Sequence, residues 1–542
     1  MKKSILALVV IFSIALFLRV WQLERIPVSL TDDEVRLVYN AYSIWKTGKD
    51  VNGTFLPLAF LNNGYAFNPV PIYLASPIVG VFGLNIFNAR ILFAITGALT
   101  VLLVYAITRK LLKSDSIAFL SALALAFSPW HIHISRIAYE GELALFFFTA
   151  GIYLFLLIKK HRFTTLAVSL FLFVLGFYSY SGYKLIFLPV IAVLVIYKMK
   201  ELGRRQILVV AFTVLATFAI FGYLAKYQGA GSYGAGQFFF QDKQATALAV
   251  ELERRASPAP ELLRKLYHNK FTYWSRIFME RYQYALSAQY LFINQEGSGI
   301  FSMWFRGQYY YHEAILIALG LFYLFLKHRK EFFLLIALIL TAPIPSGLGP
   351  DPVTYSIRSS LLLPGLATCI GTGVYAIAYF TKRMFWRYGL YALIIVAYVY
   401  LIGGYLTQYY YEWMVYGAKY YSKGTRDAVD IINKERGNAD TLVIDGFSVT
   451  ELLHYAFYTK LSPSLVQELY RGEGSIVFDS LIFHQSCMKS ESGSLKEKNI
   501  TYVIPLHCIQ EKGAKFYSPG PTTASYIIKS SEGHDEWFVF KN

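Results

Sequence analysis

Long, nearly charge-free apolar runs alternate with short polar connections over the first 410 or so residues. They lie at 4–20, 87–108, 115–130, 143–158, 163–180, 184–198, 206–225, 312–326, 331–345, 360–381 and 387–407. A bilayer core needs ~20 apolar helical residues to be crossed, so these blocks predict about eleven transmembrane helices, the shorter ones with soft boundaries. From 408 onward the pattern changes. Residues 425–436 read as a helix with Val429 and Ile432 on one face and Thr425 as its cap. Short runs at 441–444, 475–478, 501–504, 525–528 and 537–540 read as strands. The predicted fold class is an all-α polytopic membrane domain over 1–407, joined to a small C-terminal α/β domain over 408–542.

The connections differ in charge. Lys2 with Lys3, Arg109 with Lys110 and Lys113, Lys159 to Arg162, Lys198 to Arg205, Lys327 to Lys330, and Lys382 to Arg387 are basic, while the intervening connections are not. Alternation of this kind is the positive-inside pattern. It predicts a multi-pass protein, most simply of a plasma membrane, with a cytoplasmic N-terminus and an extracytoplasmic C-terminal domain. It also accounts for the net charge of +17 without a nucleic-acid partner. The apolar run after Lys3 resembles a secretory signal, but Arg19, Trp21, Glu24 and Arg25 close it where small residues would mark cleavage. An uncleaved first helix is expected. Composition agrees with the membrane assignment: 56% of residues are hydrophobic and 16% charged, against about a quarter charged in an average soluble domain. Of three cysteines, Cys369 falls inside an apolar block, and Cys487 and Cys508 lie in the C-terminal region, where a bond between them is open.

Two outer loops exceed what a connector needs. In the first, 21–86, Val35, Val38, Tyr42 and Trp45 recur at helical spacing opposite Arg36, Asn40 and Lys46. This predicts an amphipathic helix on the membrane surface, ended by Gly48. A second apolar stretch, 71–82, is expected to dip into the interface. The other long loop, 226–311, opens with a Gly-rich stretch at 229–236 and continues as a helical, aromatic-rich segment over 260–292.

Asp32, Asp33 and Glu34 put three adjacent carboxylates about a dozen residues after the first span, with Arg36 following. A helix start explains part of this, with Thr31 or Asp32 as cap and acidic groups at the positive end of the dipole. A carboxylate held there is also well oriented for proton transfer. His131 and His133 form a His-x-His pair, followed by Glu140 and Glu142. A divalent metal is conceivable there but not favoured, since no third ligand is fixed and interfacial polar tips explain the pattern. Glu140 has Arg136 at helical spacing as a possible ion-pair partner. The alternating Tyr and Ser of 178–183 are read as ordinary interfacial anchoring.

The motifs run in the order of a known family. The segment Asp33-Glu34-Val35-Arg36 resembles its Asp-Glu-x-Arg motif in the first outer loop, and residues 46–58 the stretch that follows. Pro71-Ile72-Tyr73 resembles its Pro-x-Tyr segment, Arg90 the arginine heading the second span, 128–138 the second outer loop, and 342–345 with 356–359 and Pro364 the late outer loop. Over about 1–410 the chain resembles the GT-C polyprenyl-phosphate-sugar glycosyltransferases, in the group of protein O-mannosyltransferases and the lipid A aminoarabinose transferase. The likeness weakens in the tail. It implies an inverting transfer of a sugar from a polyprenyl-phosphate donor to a hydroxyl of a protein, lipid or glycan acceptor outside the cytoplasm. It implies Asp33 as the base and Glu34 as a supporting carboxylate. Many relatives carry a phosphate-binding lysine before the Pro-x-Tyr segment, where this chain has Phe67 and Asn68. Phosphate binding is therefore expected to rest on Arg36, Arg136 and Arg358, with Arg306 beside Trp304 a weaker choice. For each arginine, snorkelling or a structural ion pair is the plainer reading. Arg358 stands out for its Pro- and Gly-rich loop with Asp351 nearby. Arg90 is expected to brace the first loop through an ion pair, and Tyr73 to support the site. No cofactor is expected. A transporter or flippase of lipid-linked sugars, or a non-catalytic lipid-binding relative, is the rival, but span centres almost free of charge disfavour a conduit.

Overall fold

Every apolar block coincides with helix in the computed structural model. The structure describes residues 2–541 apart from 63–64, 160–161, 232–237, 295–297, 304–305, 350–354, 438, 471–474, 489–499, 514–523 and 531. Most of the Gly-rich stretch at 229–236, Trp304 and Asp351 thus fall outside the described residues. Among the described residues, seven helices are long and apolar enough to cross a membrane: Ile86–Leu112, Glu140–Leu157, Ser181–Lys198, Arg204–Tyr227, Arg329–Leu348, Leu362–Phe380 and Met384–Tyr416. Ser4–Val20, Asp115–Ala126 and Phe163–Phe177 are shorter apolar helices. Pro69–Phe82 spans 14 residues, about 21 Å at 1.5 Å each, which is short of a ~30 Å hydrocarbon core. Large side chains such as Phe212, Leu215, Leu393 and Val399 are exposed along the spans, as a lipid-facing surface requires. The protein is a multi-pass membrane protein.

Two compact units make up the chain, and they do not follow chain order. One comprises Met1–Trp21, Gly64–Val70 and Phe93–Leu406; the other comprises Gln22–Asn63, Pro71–Leu92 and Thr407–Asn542. The second unit takes in the tail from Thr407 onward, and most of the first outer loop groups with it rather than with the spans.

The first unit is helical. Its helices Glu313–Lys327 and Leu362–Phe380 touch backbone to backbone through glycines: a Cβ on Gly320 would sit 2.0 Å from the Cys369 carbonyl oxygen, and one on Gly373 would sit 1.9 Å from that of Leu316. Small residues permit such approaches where apolar burial alone gives helices little reason to associate. Cys369 is buried at this seam. The long outer loop contributes helices Lys243–Ala256, Glu261–Tyr267 and Lys270–Ala285, the first of them not anticipated.

The tail of the second unit is an α/β domain. Its strands β1 (Thr441–Ile444), β2 (Ser475–Phe478), β3 (Leu481–His484), β4 (Ile500–Pro505), β5 (Tyr526–Lys529) and β6 (Asp535–Lys541) form one mixed sheet in the order β2-β3-β1-β4-β6-β5. The central β1 is parallel to both β3 and β4, with Leu442 opposite Leu481 and Thr501. On one face Leu442, Ile444, Val503 and Val539 pack with Val429 and Ile432 of helix Lys423–Glu435 and with Leu452 and Tyr455 of helix Val449–Thr459. On the other, Val443, Tyr502, Ile504 and Phe540 cluster with Cys508, which is disulfide-bonded to Cys487. All five expected strands are present; β3 is additional. Thr425 does not cap its helix, which instead begins at Lys423 after Ser422 at φ 44°.

Candidate active site

The acidic cluster opens helix Asp32–Thr47. Thr31 is its cap: the Oγ1 accepts from the Glu34 amide at 3.2 Å, and Glu34 Oε2 accepts from the Thr31 amide at 2.9 Å, a reciprocal capping box. Gly48 in the left-handed region at φ 69° ends the helix. The expected surface-lying amphipathic helix is more enclosed than its sequence suggests. Leu37, Asn40, Ala41 and Ser43 are buried as well as Val35 and Val38, because residues of the tail cover the polar side.

Each carboxylate meets a different fate. Glu34 is buried in a two-pronged ion pair with Arg90: Nε donates to Oε1 at 2.8 Å and Nη2 to Oε2 at 3.0 Å. Arg90 Nη1 also donates to the Pro27 carbonyl at 2.7 Å. The brace expected of Arg90 is therefore present, and Glu34 is its anchor. Asp32 accepts from His454 Nε2 at 3.0 Å and from Ser422 Oγ at 2.9 Å. Burial pushes its carboxyl upward, but the His454 hydrogen bond and charge, Ser422 and Arg36 outweigh that and hold it below the ordinary value. Asp33 keeps its oxygens available. Its side chain remains 35% exposed, and its charged neighbour is Arg36, with Nη1 at 3.7 Å. Loss of bulk water around it, reinforced by the charges of Asp32 and Glu34 and opposed by Arg36, raises its pKa to about 6. Arg36, expected at the donor phosphate, is instead turned to Asp33 and donates its Nη2 to Thr450 Oγ1 at 2.6 Å.

In the helical unit, a cavity of about 250 Å³ is lined by Tyr180, Ser181, Lys184, Phe221, Pro345 and Arg358 among others. The Arg358 guanidinium lies over the Tyr355 ring at 4.6 Å, and its Nη1 is buried with no hydrogen-bond partner among the described residues. Gly349 makes room for it, since a Cβ there would lie 2.2 Å from that nitrogen. Lys184 sits over Phe221 at 4.6 Å. A guanidinium with one unsatisfied nitrogen and an ammonium at an apolar-walled cavity suit a phosphate attached to an aliphatic chain. Lys184 escaped the sequence reading; a lone lysine at the head of an apolar block was its only signal. Tyr180 and Tyr183, read as interfacial anchors, are instead buried, with Tyr183 hydroxyl 2.9 Å from that of Ser360. Asn68, standing where relatives carry lysine, donates its amide at 2.9 Å and its Nδ2 at 3.0 Å to Glu140.

The remaining candidates hold structure together. Arg136 is fully buried and donates to the Leu18 carbonyl at 3.0 Å. Arg306 lies over the Tyr405 and Tyr310 rings at 4.8 and 5.5 Å. Tyr73 donates to the Pro57 carbonyl at 2.9 Å. His131 Nδ1 is 2.8 Å from Arg19 Nη2 and its Nε2 3.5 Å from Glu142, while His133 Nε2 meets the Ile300 carbonyl at 2.9 Å. The two imidazoles are thus directed to separate protein partners. Among the described residues the group able to converge on a metal is Cys487, His507 and Cys508, and its two thiols are consumed in the disulfide.

Comparison with known proteins bears on the fold. Residues 9–181 match the family model of dolichyl-phosphate-mannose-protein mannosyltransferases. No curated protein sequence matches the chain. Among solved structures, the oligosaccharyltransferase AglB from the archaeon Archaeoglobus fulgidus superposes with a TM-score of 0.52 at 13% identity, covering 98% of this chain and 74% of that one. ArnT from Cupriavidus metallidurans gives 0.49 at 13% identity, covering 98% and 97%; the fold assignment rests on the former. Family match over 9–181 and shared fold over nearly the whole length identify this chain as a multi-pass membrane protein of the GT-C glycosyltransferase fold.

Proposed function

We propose that the protein is an inverting glycosyltransferase that moves a sugar from a polyprenyl-phosphate donor to an acceptor hydroxyl on the outer face of the membrane. The observation that carries this is the sorting of the acidic cluster: two carboxylates are engaged, and Asp33 is left partly exposed with its pKa raised to about 6. Such a group is mostly ionised at neutral pH and a better base than an ordinary aspartate. The acceptor oxygen bonds to the anomeric carbon while the bond from that carbon to the phosphate oxygen breaks. The bonding pair leaves with the phosphate and the hydroxyl proton passes to Asp33. Lys184 and Arg358, at their own cavity, supply the cationic chemistry that a donor phosphate calls for. A divalent metal is not favoured, and on this reading chelation leaves the rate unchanged. The Cys487–Cys508 disulfide, suited to an oxidising compartment, and the basic connections support an outer tail and a cytoplasmic N-terminus.

The test is transfer by purified protein in lipid nanodiscs, with polyprenyl-phosphate hexoses and pentoses as donors and a panel of protein, lipid and glycan acceptors. Wild type transfers and the folded Asp33→Asn variant does not. Equal transfer by the variant removes Asp33 from its role. Donor binding without transfer across the panel favours a flippase or a non-catalytic lipid-binding protein.

A further inference from the structure

We propose that helix Val449–Thr459 of the tail is a positioning element for the Asp33 carboxylate, acting through a polar stripe of Thr450, His454 and Tyr458; this rests on Asp33 being the base. The three residues recur every four positions, so they share one face of their helix. Their partners run the opposite way along the chain. Thr450 accepts from Arg36 at 2.6 Å, His454 meets Asp32 at 3.0 Å, and the Tyr458 hydroxyl meets that of Ser29 at 2.7 Å. Arg36 and Asp32 are themselves one turn apart, so the two helices lie antiparallel and mesh turn by turn, and Asp33 falls between the two gripped residues. Leu452 and Tyr455 of the same helix face the sheet.

Packing alone does not explain this stripe. Thr450 and His454 are 5% and 1% exposed, and a buried polar side chain costs free energy unless paired, so an interface serving only adhesion is made more cheaply from apolar residues. Two further tail residues reinforce the grip: Ser422 donates to Asp32 at 2.9 Å, and Arg426 Nη1 donates to the Val28 carbonyl at 2.9 Å. The charged groups around Asp33 are then Arg36, Asp32 and Glu34, the last neutralised by Arg90. His454 and Ser422 hold the Asp32 charge and orientation, and Thr450 holds Arg36. Without His454 the Asp32 anion is less compensated beside Asp33, and Asp33 binds its proton more tightly.

The test uses the full-length protein in nanodiscs, comparing wild type with His454→Ala, His454→Gln and Thr450→Val. One readout needs no activity: a diazo reagent that esterifies protonated acids, with Asp33 modification followed against pH by peptide mass spectrometry. The other is the pH–rate profile of transfer from a polyprenyl-phosphate sugar. In His454→Ala the labelling midpoint and the acid limb of kcat rise together by about half a unit or more. At pH 6 its kcat falls about twofold or more, with the donor KM unchanged. Gln, which can donate from nearly the same place, restores most of both. Thr450→Val moves the midpoint the same way and covers the case in which His454→Ala does not fold. A midpoint unchanged in the folded variants overturns the proposal, as does a loss of thermal stability alone. A labelling midpoint that moves while the pH–rate profile stays where it was refutes the base assignment, while the control of the carboxyl by the tail stands.

Discussion

Arg90→Met removes the cation from a buried pair. Glu34 is 1% exposed and its two oxygens are held by Arg90 Nε and Nη2 at 2.8 and 3.0 Å, so the substitution leaves a buried anion without its guanidinium, while the Thr31 amide still donates to it. Breaking a buried pair from one side costs ~3–5 kcal/mol. Carbonyls of Pro27 and Ser29, which also accept from Arg90, lose their donor, which places the expected cost toward the upper end. The damage is local to the start of the motif helix, so hydrogen exchange followed by mass spectrometry is the suitable assay. At ~1.4 kcal/mol per tenfold, protection of the amides in 32–47 falls roughly 100- to 1000-fold or more. Adding Glu34→Gln removes the orphaned charge while keeping a side chain that completes the capping box, and recovers about half of the lost free energy. Protection within about tenfold of wild type in Arg90→Met, or single and double variants that exchange alike, refutes the reasoning that an uncompensated buried carboxylate is the cause.

Transfer should fall as pH drops through about 6, where Asp33 gains its proton. The folded state binds that proton more tightly than the unfolded chain, so ionised Asp33 weakens folding increasingly as pH rises from the ordinary value of 3.8 to about 6. Asp33→Asn should therefore raise the thermal midpoint above pH 7 and leave it unchanged below pH 4, even as it abolishes transfer. Arg358→Ala and Lys184→Ala should each raise the donor KM roughly 10- to 100-fold, as expected for loss of a charge-assisted contact, with the thermal midpoint little changed. Gly320→Val should prevent assembly, because even its Cβ meets the Cys369 carbonyl at 2.0 Å, whereas Gly403→Ala, with open space around it, should express and melt like wild type.

Apolar runs made the spanning helices legible, because a bilayer imposes length and composition on each of them. The motif helix was legible through its caps, Thr31 and Gly48, and five strands through their β-branched and aromatic runs. Strand β3, Leu481–His484, was missed because Leu481, Ile482 and Phe483 form too short a run beside a turn to be told from a loop. Helix Val449–Thr459 was missed because its second stripe is polar, matched to residues more than 400 positions away that no local pattern reveals. The carboxylates could be named from sequence but not sorted, since their division depends on Arg90, His454 and Ser422 arriving from elsewhere. Arg36 and Arg358 were both phosphate candidates, and the loop around Arg358 marked it out without showing what it meets. Only geometry separated the one held by Thr450 from the one with a nitrogen unsatisfied at a cavity.

The distance along the chain between Arg36 and Thr450, 414 residues, is also an interval of time. At ~5–20 residues per second, a ribosome that has just made the motif helix needs roughly 20–80 s more to make the residues that grip it. Through that interval the seven described helices long enough to span a membrane are synthesised while Asp32, Arg36 and Ser29 lack their tail partners. The acidic motif is thus the first functional element to emerge and among the last to be set. A chain cut short between the motif and the tail carries the whole Asp33-Glu34-Val35-Arg36 motif but not the partners that single out Asp33, so the order of synthesis itself leaves unfinished molecules without the sorted carboxylates of the finished one.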